Sequence, residues 1–385
     1  MFTRSAGIGI VVTWALFASL AVLSGCGGGS GGSPSLPSTP RAAQPTPGTI
    51  PLSSPSPVKS VRITTIRTPD APTGGIAIGS DGSVYLSGAG TFVKYNGTFK
   101  QYAYPLPLNG PLPPGAEPSD NAMTNGPGNE ISVVLGSAFP NGPPITYVAA
   151  LDPVTGRTSA SQIITTFAAD ETIGVADVGH GTIAAMQSYE AGTTGIVTIF
   201  NTAFAAVGDL SAPDLSIINT ATVGADGEIY SGNLPTFNPM NNTTSPPRIL
   251  RQNYFTNATT SVTLPSGSQV EHVALGPDGA VWFTDPGLNK IGRVTTSLSV
   301  TYYRIPTPQS GPAGITAGSD NAMWFTEAGA NKIGRIDASG TVTEYPIPGG
   351  TLPLGIAGAP PGAGCIPNTL YFAEAQGLGK VTFTQ

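Results

Sequence analysis

The feature that most constrains this chain is a motif written twice. GPDGAVWFTDPGLNKIGRVTT starts at Gly276, and GSDNAMWFTEAGANKIGRIDA starts 42 residues later, at Gly318. Self-similarity at a period of about 20 to 50 residues marks a repeat architecture, so further copies decide the fold before any single residue does. Aligning on the tight turn gives weaker copies around Gly82 (IGSDGSVYLS) and Gly227 (VGADGEIYSG). Degenerate ones stand near Asn129, near Gly181 and ahead of Tyr371, which makes seven.

Within a unit the pattern reads as strands and turns. Val273–Leu275 is a short apolar run, Pro277-Asp278-Gly279 is a turn in which glycine supplies positive φ, and Val281–Thr284 is the next strand. Lys290–Val294 and Val300–Ile305 complete four strands, and in the next unit Thr341–Ile347 takes the last place. Seven units of four short antiparallel strands predict an all-β, seven-bladed β-propeller over residues 60–385. The last unit stops after its third strand, at GKVTFTQ, whereas an orphan strand, VRITTIRTP, precedes the first unit from Val61. Joining the two closes the ring and removes two free sheet edges.

Composition agrees where it bears on the question. The chain of 385 residues holds 51 Gly and 38 Pro with 10% charged residues, which suits many turns and little amphipathic helix. Its net charge of −6 and the lack of any basic run exclude nucleic acid as a partner.

The first 25 residues read as an export signal: Arg4, an apolar run, then Leu23-Ser24-Gly25-Cys26. That tetrapeptide resembles the lipobox of bacterial lipoproteins, which implies lipidation at Cys26, and Gly27 in place of an aspartate implies outer-membrane sorting. Residues 26–59 are rich in Gly, Ser and Pro and read as a flexible tether. The expected setting is therefore an exported monomer, lipid-anchored, facing the periplasm or the cell surface. Cys365 is then left without a disulfide partner.

Trp282-Phe283-Thr284-Asp285, Asn289-Lys290-Ile291-Gly292-Arg293 and their copies Trp324–Glu327 and Asn331–Arg335 resemble the virginiamycin B lyase (streptogramin lyase) family of seven-bladed propellers. The likeness is close over Gly276–Pro348, recognisable in the first and last units, and poor from Asp120 to Arg251. It implies ring opening of streptogramin B antibiotics by elimination, with a magnesium ion and a histidine in a Pro-His-Gly-Ile segment. The matching segments here are Pro312-Ala313-Gly314-Ile315 and Pro353-Leu354-Gly355-Ile356, so alanine and leucine stand where the histidines would be. Neither side chain can act as a base of near-neutral pKa.

Five residues are candidate ligand contacts. Asp285, Glu327 and Glu374 each end the second strand of a unit, where carboxylates at neighbouring corners could hold Mg²⁺ or Ca²⁺. The competing reading makes them hydrogen-bond acceptors within their own repeat. Glu271 and His272 precede the innermost strand of the fifth unit and do not recur elsewhere. The other histidine, His180, lies in a turn on the opposite face. Long connections in the fourth unit (Gly232–Pro247) and second unit (GSAFPNGPP) read as walls of a site on the same face as the acids. The function expected is a tethered module binding a small molecule or a protein, with a metal-dependent lyase or lactonase as the alternative.

Overall fold

The computed structural model describes residues 58–69, 72–79, 81–88, 90–104, 117–125, 130–139, 142–163, 169–177, 182–189, 196–201, 206–211, 217–234, 237–238, 243–253, 255–256, 258–350, 352–358, 367–375 and 377–385. The export signal, Cys26, the tether as far as residue 57, His180 and Cys365 lie outside these residues, while Lys59, expected in the tether, donates its N–H to Thr384 O at 2.8 Å. Among the described residues every regular element is a strand, and no helix is long and apolar enough to cross a membrane.

Seven four-stranded antiparallel sheets form the blades. In chain order, the innermost strands of the first six blades are Pro72–Ile78, Glu117–Asn125, Ala169–Asp177, Ile217–Val223, His272–Leu275 and Pro312–Ala317, and the seventh is Pro353–Gly358. Each packs beside the innermost strand of the next blade, and the seventh packs against the first, so the ring is closed. Closure joins the first and last strands of the propeller, as expected. Ser60–Arg67 pairs with Gly377–Thr384 from Ser60↔Thr384 to Arg67↔Gly377 and supplies the seventh blade with its fourth strand.

One polar device builds the turn between first and second strands. The turn aspartate bonds the ring of an aromatic residue on the second strand and pairs with a cation on the third. Asp278 takes Trp282 Nε1 at 2.9 Å and Arg293 at 2.6 Å; Asp320 takes Trp324 Nε1 at 2.9 Å and Arg335 at 2.7 Å. The fourth blade repeats this with Asp226, Tyr230 and Arg251, and the first with Asp81, Tyr85 and Lys94. Gly82, Gly227 and Gly279 occupy the following position with φ of 75°, 77° and 75°. Asn321 substitutes in the sixth blade at 57°, since asparagine tolerates the left-handed region better than other side chains.

The core is a set of seams between blades rather than one centre. Trp282 and Ile305 of the fifth blade pack with Ile315, Met323 and Phe325 of the sixth. Trp324 and Ile347 of the sixth pack with Phe372, Leu370 and Val381 of the seventh. Phe283, Phe325 and Phe372 each lie over the third-strand glycine opposite, Gly292, Gly334 and Gly379, where any Cβ would overlap the ring. That overlap is why Lys-Ile-Gly-Arg recurs with glycine, although none of these three needs a positive φ.

The two long connections differ from each other. In the fourth blade the second strand runs on to Leu234, and the insertion then carries a small hairpin of its own, Phe237–Asn238 paired with Thr243–Thr244. The second-blade excess is mostly extended backbone. Strands Ile131–Phe139 and Gly142–Leu151 lengthen together down to Phe139↔Gly142, so GSAFPNGPP is a taller hairpin rather than a loop.

Candidate functional site

The three acids at the ends of second strands are buried, with Asp285 and Glu327 0% exposed and Glu374 2%. Each follows its phenylalanine by two residues, so by strand alternation it shares the phenylalanine's face, turned toward the preceding blade. Their surroundings differ. Asp285 accepts from the Ser268 hydroxyl, from the backbone N–H groups of Gln269 (2.9 Å) and Leu288 (3.0 Å), and from Tyr302 Oη (3.3 Å). Through these four donors Asp285 ties the fourth-to-fifth blade connection to its own hairpin. Glu374 accepts from Thr65 Oγ1 at 2.9 Å, on the closing strand.

Glu327 has no such ring of donors: neither of its carboxyl oxygens makes a hydrogen bond. Burial first, and the neighbouring Glu344 second, push its carboxyl up to about 8. Glu344 itself accepts from Thr307 N (2.9 Å), Thr307 Oγ1 (2.9 Å) and Lys332 Nζ (3.1 Å). Burial opposes its ionisation, but these donors hold it below the usual glutamate range. Nothing in the spacing of Glu344, Lys332 and Thr307 marks them as a group. They meet only because the fourth strand of a blade folds over the third and the connecting segment from the fifth blade reaches across.

At the innermost strands, alignment through the ladder pairs Val273↔Phe283, Ile315↔Phe325 and Ile356↔Phe372. Counting back, Glu271 stands in register with Ala313 and Leu354, and His272 with Gly314 and Gly355. The acid, not the histidine, therefore occupies the segment position in the fifth blade. Thr284 Oγ1 accepts from His272 N (3.1 Å) and donates to Ala313 O (2.6 Å) of the next blade. Thr326 Oγ1 likewise accepts from Gly314 N (2.9 Å) and donates to Leu354 O (2.5 Å). These hydroxyls stitch neighbouring blades through backbone, so Ala313 and Leu354 each contribute a carbonyl to the ring. His272 Nδ1 is buried and without a partner, and burial pushes its imidazole down to about 4, which keeps the ring neutral through ordinary pH.

A magnesium centre is not assembled by this geometry. Among the described residues no three His, Cys, Asp or Glu side chains converge on one point. Asp285 is saturated by protein donors, Glu374 is engaged by Thr65, Glu344 is balanced by Lys332, and Glu327 has only Glu344 as a neighbouring carboxyl. This donor set does not fit a hard divalent cation, which needs several oxygen ligands directed at one centre.

Residues 243–383 match the family model described as the virginiamycin B lyase family. A catalytically inactive histidine-to-alanine variant of virginiamycin B lyase from Staphylococcus aureus with quinupristin is similar at a TM-score of 0.64 and 23% identity, over 84% of this chain and 100% of that one. A streptogramin B lyase structure is similar at 0.60 and 23%, over 84% and 98%. The WD40 β-propeller domain of Doa1 follows at 0.57 and 12%, over 84% and 95%. A search of curated proteins finds no match. The likeness of fold extends round the ring, whereas the family match is confined to residues 243–383: the chain is a seven-bladed β-propeller whose last blades are similar to those of the virginiamycin B lyase family.

Proposed function

We propose that this chain is an exported, lipid-anchored propeller that binds a small molecule or a protein at the mouth of its central channel, and that it does not open streptogramin rings. The observation that carries this reading is the engagement of Ala313 and Leu354 through their carbonyls alone. Elimination needs a base beside the acidic C–H of the substrate, and these two positions offer none. The other basic or acidic side chains do not replace it. His272 is only partly buried, but its free Nδ1 is enclosed, and Glu327, whose carboxyl burial raises to about 8, is 0% exposed and out of a substrate's reach. The hairpin Phe237–Thr244 and the tall second-blade hairpin rise on the second-to-third-strand side and supply walls for a bound partner. Glu271 and His272, at the start of the fifth innermost strand, are non-repeated polar groups on the inner ring of strands.

A lyase is the second reading, favoured by the family match and by the quinupristin-bearing relative of similar fold. Mass spectrometry of quinupristin incubated with the purified chain and magnesium separates the two. An unchanged cyclic antibiotic is expected. Its magnesium-dependent linearisation, abolished by His272→Ala, would put the enzyme first.

A further inference from the structure

Three blades place an acid at the end of the second strand and face it with the fourth-strand residue that lies opposite the third-strand glycine. These pairs are Asp285 with Tyr302, Glu374 with Thr65, and Glu327 with Glu344. Tyr302 and Thr65 carry hydroxyls that donate. Glu344, when ionised, has no hydrogen to give. Of the other donors near Glu327, the single Ser310 hydroxyl lies within its reach but also faces Asn289 Oδ1 (3.0 Å), Thr307 Oγ1 donates to Glu344, and Lys332 Nζ donates to Thr307 Oγ1 (2.6 Å) and Glu344. An ionised Glu327 would thus have at most the one Ser310 hydroxyl, already facing Asn289, as a donor, and would be 0% exposed beside a second carboxylate.

We propose that Glu327 and Glu344 hold one proton between them at neutral pH, with Glu327 as the acid and Glu344 as its acceptor, and that losing this proton in alkali loosens the seam between the fifth and sixth blades. A protonated Glu327 is the hydrogen donor the site otherwise lacks, and Glu344 oxygens retain lone pairs for it. The two carboxyl groups are pushed in opposite directions, Glu327 up to about 8 and Glu344 down, as expected when like charges compete for one site. The charged groups acting on Glu327 are Glu344 and Lys332, from the outer strands of its own blade; the segment reaching over from the fifth blade contributes the neutral Thr307 and Ser310. Ionisation releases the proton to solvent and leaves two adjacent carboxylates against one ammonium.

The linkage has a definite sign. Because the folded state holds this proton more tightly than the unfolded chain, whose glutamate titrates near 4.5, stability falls as pH rises from there and levels off past about 8. Infrared spectroscopy of the whole chain reads the proton directly. At about pH 6 the carbonyl band of a protonated carboxylic acid should be present, and it should vanish by about pH 10 and be missing in Glu327→Gln. No such band in wild type, a band untouched by Glu327→Gln, or its loss at about pH 6 on adding magnesium would each overturn the proposal. The melting temperature gives an independent arm. That of wild type should drop relative to Glu327→Gln between about pH 5 and pH 9, and parallel profiles would refute the shared proton. Should Glu327→Gln fail to fold, the wild-type infrared titration alone still decides.

Discussion

A glycine and an aspartate tie the sixth blade's second and third strands together beyond their backbone ladder. Gly334 carries the Phe325 ring directly on its Cα, so Gly334→Ala must push the ring out of the seam shared with Trp282 and Ile315. Overpacking of this kind costs about 1 to 3 kcal/mol, readable as a lower urea midpoint with an unchanged slope. Asp320 is the most enclosed of the turn aspartates, its side chain 0% exposed and its partner Arg335 9%. Asp320→Ala leaves a guanidinium and an indole N–H without an acceptor and should cost about 3 kcal/mol. Asp226→Ala, in the more exposed copy with Arg251 at 30%, should cost clearly less. Equal losses at the two sites would mean that burial does not set the strength of this device. His272 gives a pH signature of opposite sign to that of Glu327. Its imidazole titrates near 4 in the fold and near 6.5 free, so the unfolded chain binds a proton first and stability falls as pH drops from 6.5 toward 4. His272→Gln should flatten the melting curve in that window and leave it unchanged above it. The repeated Asp, Trp and Arg positions are legible in the aligned repeats. The environment of Glu327 is not, because its lack of donors emerges only when Glu344, Ser310 and Lys332 are seen together; burial has raised a carboxyl that its place in the repeat does not distinguish from Asp285.

At the level of strands, ring closure is the feature with the sharpest consequence. Ser60–Arg67 covers the outer edge of Gly377–Thr384, and its Val61 and Ile63 pack into the last seam beside Trp324 and Phe383. Deleting Val61–Pro69 should bare that edge, lower the melting temperature and promote aggregation; unchanged melting with a monomeric elution profile would show that the blade is completed otherwise. This strand is legible because it resembles the fourth strands VTYYRIPTP and VTEYPIPGG and because the last unit lacks one. Its pairing runs one residue earlier at the start than the resemblance indicates and stops before Thr68. The second-blade excess is a hairpin and not a loop for a physical reason: Gly and Pro are turn formers in general, but paired long strands at the rim of a blade tolerate them where backbone partners persist, as from Ile131↔Leu151 to Phe139↔Gly142. In the fourth blade the same composition does interrupt the ladder, between Leu234 and Arg248.

For the whole molecule, the expectation that carries furthest is the anchor. Labelling with a radioactive fatty acid should mark the wild-type chain and not Cys26→Ala, and equal labelling would remove the lipoprotein reading. The number of blades, the order of strands and the closing of the ring were determined by the sequence itself, since they follow from local signals that repeat: a turn glycine, an alternating apolar run, a third-strand glycine under an aromatic ring. What the repeated acids do was decided only by the tertiary structure. Asp285, Glu327 and Glu374 occupy one position in three copies of a motif, yet one is saturated by donors, one is held by the closing strand and one is left beside another carboxylate. The reason is that a side chain's charge state depends on groups delivered by neighbouring strands and by the preceding blade, and those groups lie outside the repeat that places the acid.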